Sequence, residues 1–171
     1  MTVLADWQIR YYCEANSLIQ PFQEELLNPA SIDVRLGSTI MVEVADQSRL
    51  VEMDISDRTA RTPYRMVPGE FCLAEVQEVI KLPPSITAQF LLKSSRGREG
   101  YEHLMAGFVD PGYHGRLTLE LKNMRRHYEL PLYPGLKIGQ LVFHRTCGTP
   151  LATYNKTGRY QRDFKVMASR G

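Results

Sequence analysis

A mainly β domain, of barrel or jelly-roll type, is the fold the sequence predicts, and three observations predict it. Apolar and polar residues alternate over many short runs, such as Leu117, Leu119 and Leu121 against Thr118, Glu120 and Lys122. Turn pairs at Pro68-Gly69, Pro83-Pro84, Pro111-Gly112 and Pro134-Gly135 cut those runs into short strands. Only one stretch has the spacing of an amphipathic helix. Closely spaced strands with turn residues between them build barrels and jelly rolls.

At 171 residues the chain is expected to form a single domain, 1–171, with a core of ordinary size. Its apolar share of 43% and charged share of 23% are those of a soluble globular protein. With 21 basic and 19 acidic residues, a net charge of +2 is too balanced for phosphate electrostatics to drive nucleic-acid binding. No run could span a bilayer, and MTVLADWQIR lacks the basic start and apolar core of a signal peptide, so no membrane partner is expected. Cys13, Cys72 and Cys147 are scattered without a CxxC, which signals neither a disulfide framework nor a zinc knuckle. A reducing, cytoplasmic location is the expectation.

In chain order, Asp6 is placed to cap a helix through about Asn16, with Ile9, Tyr12 and Cys13 on one face. Pro21 and Pro29 bracket a turn region. Ile32, Val34 and Leu36 form a strand expected to stop at Gly37, and Ile40, Val42 and Val44 repeat the pattern after the turn. Residues 45–62 are polar and irregular apart from a strand-like piece at 51–55. One strand is expected over 71–80, and a buried one over 88–93 that feeds a turn at Ser94-Ser95. The run 117–122 is the most regular; 131–133 leads through a turn to a last strand over 138–144. Beyond Gly148 the pattern fades into a polar, basic segment with interspersed aromatics, for which a free tail is the ordinary expectation.

The candidate chemistry concentrates between Ser94 and Glu120. A regular strand holds Glu120 at fixed spacing, which suits a positioned acid–base group, although the wet face of a half-buried sheet is the ordinary place for a glutamate. Lys93, Arg96 and Arg98 around Ser94 and Ser95 make either an anion cradle or an exposed basic turn. Ser94, His103 and Asp110 are the residue types of a nucleophilic triad, but no G-x-S-x-G surrounds either serine. His127-Tyr128-Glu129 spells the H-x-E of zinc deaminases without the P-C-x-x-C that should follow. It falls in MRRHYELP, read as a charged loop, so no zinc is expected. The phosphate loops GxxxxGK[ST] and GxGxxG are missing too.

The blocks KSSRGREG, AGFVDPGYHGRLTLEL and LYPGLKIGQLVF resemble the central blocks of the dCTP deaminase family, within the dUTPase-like superfamily. PFQEELLNPASIDVRLG and PGEFCLAEVQEVIKLP are similar to its N-terminal blocks, in the same order. The resemblance covers almost the whole chain. It implies a distorted jelly-roll (β-clip) fold and a homotrimer with active sites between subunits. It also implies zinc-independent deamination of a cytosine deoxynucleotide, with Mg²⁺ only holding the phosphates. Glu120 then matches the catalytic glutamate that activates water, and Ala106 the residue whose carbonyl helps hold that water. Ser94 and Arg98, with Ser95 and Lys93 beside them, match the support of the base site and the phosphates. Asp110 falls at the sugar, and Thr118 and Leu119 along the cytosine edge. Tyr154 and Arg159 match a Tyr and a Lys that close over the phosphates, Gln161 is counted with the substrate-binding set, and 149–171 becomes a lid. A His at the position of His103 takes part in feedback inhibition by dTTP in several members, which makes dTTP a candidate inhibitor.

The chain departs from that family where S-S-L-A-R-L-G becomes SSRGREG, with one residue missing between Arg98 and His103. The tail is also shorter between Tyr154 and Arg159. Asp163 stands where a donor glutamine is expected. Neutralised by the flanking Arg159 and Arg162 it leaves dCTP recognition normal; otherwise dCMP or dCDP becomes a further substrate. The expected reaction is dCTP and water to dUTP and ammonia. The alternatives are a bifunctional dCTP deaminase/dUTPase giving dUMP, and a non-catalytic nucleotide-sensing trimer.

Overall fold

The computed structural model describes residues 2–171. In chain order its elements are β1 (Thr2–Val3), α1 (Asp6–Asn16), β2 (Ile19–Gln20), a 3₁₀ turn (Glu24–Leu26), β3 (Leu27–Asn28), β4 (Ser31–Val42) and β5 (Val51–Asp54). There follow β6 (Tyr64–Met66), β7 (Phe71–Val76), β8 (Val79–Lys81), β9 (Ile86–Leu92), α2 (Ser94–Glu99), β10 (Tyr101–His103) and β11 (Phe108–Val109). The last are β12 (His114–Gly115), β13 (Thr118–Asn123), β14 (Leu130–Leu132), β15 (Lys137–Arg145) and α3 (Tyr154–Thr157). The fold is mainly β, as expected. Among the described residues ten strands join in one curled antiparallel sheet, whose main path runs β10-β13-β7-β4-β15-β9-β11.

The long strand β4 organises that sheet. Ile32, Val34, Leu36, Ile40 and Val42 all point into the core, at 3% exposure or less. Gly37 was expected to end the strand and does not. Instead the register with β7 shifts between Leu36 and Ile40, so β4 bends there and serves two sets of partners. Its first half pairs with β15 and its second with β5 and β7. What Gly37 supplies is space: a Cβ there would stand 2.5 Å from Glu75 Cγ and 2.9 Å from its Oε1.

Three further expectations are corrected. The run 71–80 is two strands, β7 and β8, in different sheets. The break falls at Glu78, whose fully buried carboxylate takes Arg35 Nε at 2.7 Å and the Arg35 backbone N–H at 2.9 Å. A buried carboxylate must be met this way, and meeting it turns the chain out of line. Ser94-Ser95 opens not a turn but helix α2, ended by Gly100 at φ 108°, whose N–H donates to the carbonyls of Arg96 and Gly97. Finally, α1 is capped from Ala5 rather than Asp6. The Gln8 side chain accepts the Ala5 N–H at 3.1 Å, while Asp6, in the first turn, complements the helix dipole. Ile9 and Cys13 bury the inner face of α1, Tyr12 packs beside them, and Ser17 closes the helix in the left-handed conformation.

Because Glu75 fills the room beside Gly37, Gly37→Ala should lower the unfolding free energy by about 1–3 kcal/mol, the usual range for overpacking a core. Chemical denaturation compared with the wild type measures it. An unchanged midpoint would mean that the β4 bend has slack.

Candidate functional site

The leucine alternation that makes β13 a strand also divides its two faces. Leu119 and Leu121 are buried at 1% and 0% exposure, which turns Thr118 and Glu120 to the opposite face. Across the ladder Glu120 faces Leu73 and Thr118 faces Glu75, both on β7. On the other edge β10 covers only residues 121–123, so Thr118 and Leu119 have no strand neighbour there. His103 ends β10 with its Nε2 3.3 Å from Glu120 Oε2, and its ring meets Phe90 edge-on at 4.7 Å. The contact is not aligned as a hydrogen bond, and Glu120 Oε2 is shielded from solvent without a partner.

A cavity of about 550 Å³ opens at this carboxylate, between β13, the loop through Ala106 and Asp110, and the C-terminal segment. Of the residues singled out in the sequence, Ala106, Asp110, Thr118, Glu120, Tyr154 and Asp163 line it. Leu119 lies beneath in the core, so only its backbone could contribute to an edge. Lys93, Ser94, Ser95, Arg98, Arg159 and Gln161 do not line the cavity within one chain. Lys93 Nζ sits 2.6 Å from both oxygens of Asp33, and Arg96 pairs with Glu99 at 2.5 Å. No anion cradle therefore forms around the serines: two of its three cations are engaged by carboxylates, and Ser94, Ser95 and Arg98 are exposed on α2. Nor, among the described residues, does any hydrogen bond join Ser94, His103 and Asp110. His127 and Glu129 lie in an exposed loop, as expected, with Glu129 3.5 Å from Arg65.

The segment expected to be a free tail is docked. Tyr154 N–H donates to the Pro111 carbonyl at 2.9 Å, Arg162 N–H to His114 O at 2.7 Å, and Met167 N–H to Thr118 Oγ1 at 3.1 Å. Going the other way, Arg116 N–H donates to Asp163 O at 2.8 Å. Gln161, placed by the sequence among substrate contacts, instead clamps the backbone. Its Oε1 accepts His114 N–H and its Nε2 donates to Gly112 O, both at 3.0 Å. Gly115 makes the approach feasible, since a Cβ there would lie 2.6 Å from the Asp163 carbonyl oxygen. Asp163 is met by neither Arg159 nor Arg162 but by Arg170, at 2.9 Å, and Arg170 also donates to the Arg159 carbonyl at 2.7 Å.

Sequence reasoning missed Arg116, Tyr113 and Tyr160, which also line the cavity. Arg116 hides in the strand lead-in of GRLTLE, where a charge beside a glycine looks like a surface residue. The Tyr113 hydroxyl donates to Arg116 O at 2.6 Å, and burial, with Tyr154 and Asp163 adding to it, pushes its phenol well above the usual range. Three cavity-lining groups hold a solvent-shielded atom with no partner: Glu120 Oε2, Arg116 Nε and Asp163 Oδ2. Such groups are rare in folded proteins, and water or a ligand can complete their hydrogen bonding. Among the described residues, no three His, Cys, Asp or Glu side chains gather as a metal-binding group.

The domain is a curled antiparallel sheet with a strand-borne glutamate lining a cavity, and comparison with known proteins gives its family. The family model for dCTP deaminase-like proteins matches residues 3–146, and the chain belongs to that family. It is 38% identical over 186 residues to the dUMP-forming dCTP deaminase of Streptomyces avermitilis, covering 98% of this chain and 94% of that one. The dUMP-forming enzyme of Methanopyrus kandleri is 35% identical, with 99% and 96% covered. The solved 2'-deoxycytidine 5'-triphosphate deaminase of Agrobacterium tumefaciens shares the fold, with a TM-score of 0.67 at 24% identity over 84% of this chain. This chain spans 48% of that one's length.

If Gln161 is the clamp described, Gln161→Ala should loosen 159–171 and raise amide exchange at His114 and Arg116 about 10-fold or more, as two hydrogen bonds are lost. Exchange followed by mass spectrometry reads it, and unchanged protection there would assign the docking to the other contacts.

Proposed function

We propose that this protein deaminates dCTP and hydrolyses the resulting dUTP to dUMP. The relatives that align along nearly its full length are dUMP-forming, which favours the second step over release of dUTP. The observation that carries the deamination is the unpartnered, shielded oxygen of Glu120 at a cavity that Ala106 also lines. A water held between that carboxylate and the Ala106 carbonyl adds to C4 of the cytosine. Glu120 takes its proton and passes it on, C4–N4 breaks, and ammonia leaves. The fixed positions of the two groups supply the orientation. A second water near Asp110 then attacks the α-phosphorus, giving dUMP and pyrophosphate.

Ser94 and Arg98 are assigned to the base and phosphates of a neighbouring subunit's site, in a homotrimer. Their exposure on α2, away from this chain's own cavity, supports that division, and so does the apolar rim formed by Leu104, Met105 and Phe108, which are 49%, 92% and 64% exposed. Mg²⁺ belongs here to the substrate, carried on its phosphates. The free Oδ2 of Asp163 and the carboxylate of Asp110 give the cavity hard oxygen donors suited to such an ion.

Incubation with Mg·dCTP and separation of the products should yield dUMP. Accumulation of dUTP would restrict the enzyme to deamination, and no turnover would leave a nucleotide sensor. Glu120→Gln should lower kcat for ammonia release by roughly 10²–10⁴-fold, the usual worth of a general base, while nucleotide binding persists. Near-normal turnover in that variant would remove Glu120 from the role. Withholding Mg²⁺ should stop turnover of the triphosphate, whereas a zinc-selective chelator should leave it unchanged.

A further inference from the structure

We propose that Arg116 recognises the outer phosphates of the nucleotide and so sets the preference for dCTP over dCMP, with buried Glu75 as its anchor. This rests on the reading of the cavity as a cytosine deoxynucleotide site. The cavity has two poles. Beside Glu120 its wall is Phe71 and Leu73, an apolar surface suited to a base. At the other end stand Arg116 and Asp163. Among the described residues Arg116 is the one Lys or Arg that lines the cavity, against the three carboxylates of Asp110, Glu120 and Asp163. Within one chain this guanidinium is the cationic side chain that an anionic ligand meets there.

Its position sets which part of the ligand it can meet. Arg116 lies two residues ahead of β13 and four before Glu120, with its N–H on the Asp163 carbonyl, and Arg116 and Glu120 both line the cavity. Four residues of chain span at most roughly 14 Å. A deoxycytidine triphosphate whose C4 meets Glu120 is long enough for its outer phosphates to reach Arg116. Arg116 is also incompletely paired. Its NH1 lies 3.5 Å from Glu75 Oε1, long for a hydrogen bond, and Glu75 is only 1% exposed. Arg116 Nε and Glu75 Oε2 are both shielded and without partners. Glu75 therefore holds the guanidinium in place by charge while leaving a donor free for a phosphate oxygen. Asp163 meets Arg116 through its backbone carbonyl, while its Oδ1 takes Arg170.

The test is kcat/KM for ammonia release from dCTP, dCDP and dCMP by the wild type, Arg116→Gln and Arg116→Lys, with melting temperatures. Arg116→Gln should lower the dCTP-to-dCMP ratio of kcat/KM about 10–100-fold, the worth of one charge-assisted hydrogen bond, mainly through KM. Arg116→Lys should restore part of the ratio, since it keeps the charge but not the planar fork. Because Arg116→Gln strands a buried carboxylate, Glu75→Gln/Arg116→Gln is measured beside it and should show the same loss of ratio. A role confined to packing would lower all three substrates equally, and that result, in the single and double variants, overturns the inference. Wild-type protein that turns over none of the three would bring down the functional reading itself, and this inference with it.

Discussion

The rest of the molecule depends on the bend in β4. One twelve-residue strand carries ladders to β3, β5, β7 and β15, and a straight strand could not serve partners on both sides of the curl. Bending it at 36–40 lets its first half close against β15 while its second half positions β7. Through β7 it also positions β13, whose five paired residues fix Glu120 and Thr118 over Leu73 and Glu75. Glu75 occupies the space that Gly37 leaves open. The geometry at the cavity is thus inherited from a backbone constraint two strands away.

Among the described residues three carboxylates are buried, two within strands and one at the break between β7 and β8. Asp33, Glu75 and Glu78 are 4%, 1% and 0% exposed, and each faces a cation: Lys93, Arg116 and Arg35 respectively. Two of these pairs are close, at 2.6 and 2.7 Å, as full compensation of a buried carboxylate requires. The third, Glu75 with Arg116, is the long one, and it is the one that borders the cavity. A pair left loose at a ligand site keeps donor capacity that a tight structural pair would use up.

The C-terminal segment contributes in a different way. It has little apolar surface to bury, Val166 being its one buried side chain, so hydrogen bonds to the loop at 111–118 hold it. Bonds of this kind are individually modest, which leaves the segment the least anchored wall of the cavity. Arg170 ties its end to Asp163 and Arg159, so the last residues of the chain brace this wall of the cavity.

The sequence by itself determined the fold class, most strand positions and the face of β13 on which Glu120 stands. These depend on local alternation and on turn residues, which act over a few neighbouring positions. It also carried the family, through long blocks such as AGFVDPGYHGRLTLEL. Only the tertiary structure decided that Gly37 is a bend rather than a stop, since its reason is Glu75, 38 positions away in the chain. Only the tertiary structure assigned Lys93 to Asp33, Gln161 to the backbone of Gly112 and His114, and Arg170 rather than Arg159 or Arg162 to Asp163. The partner of a charge or an amide is whatever the fold brings within about 3 Å of it, and no local pattern of residues encodes that distance.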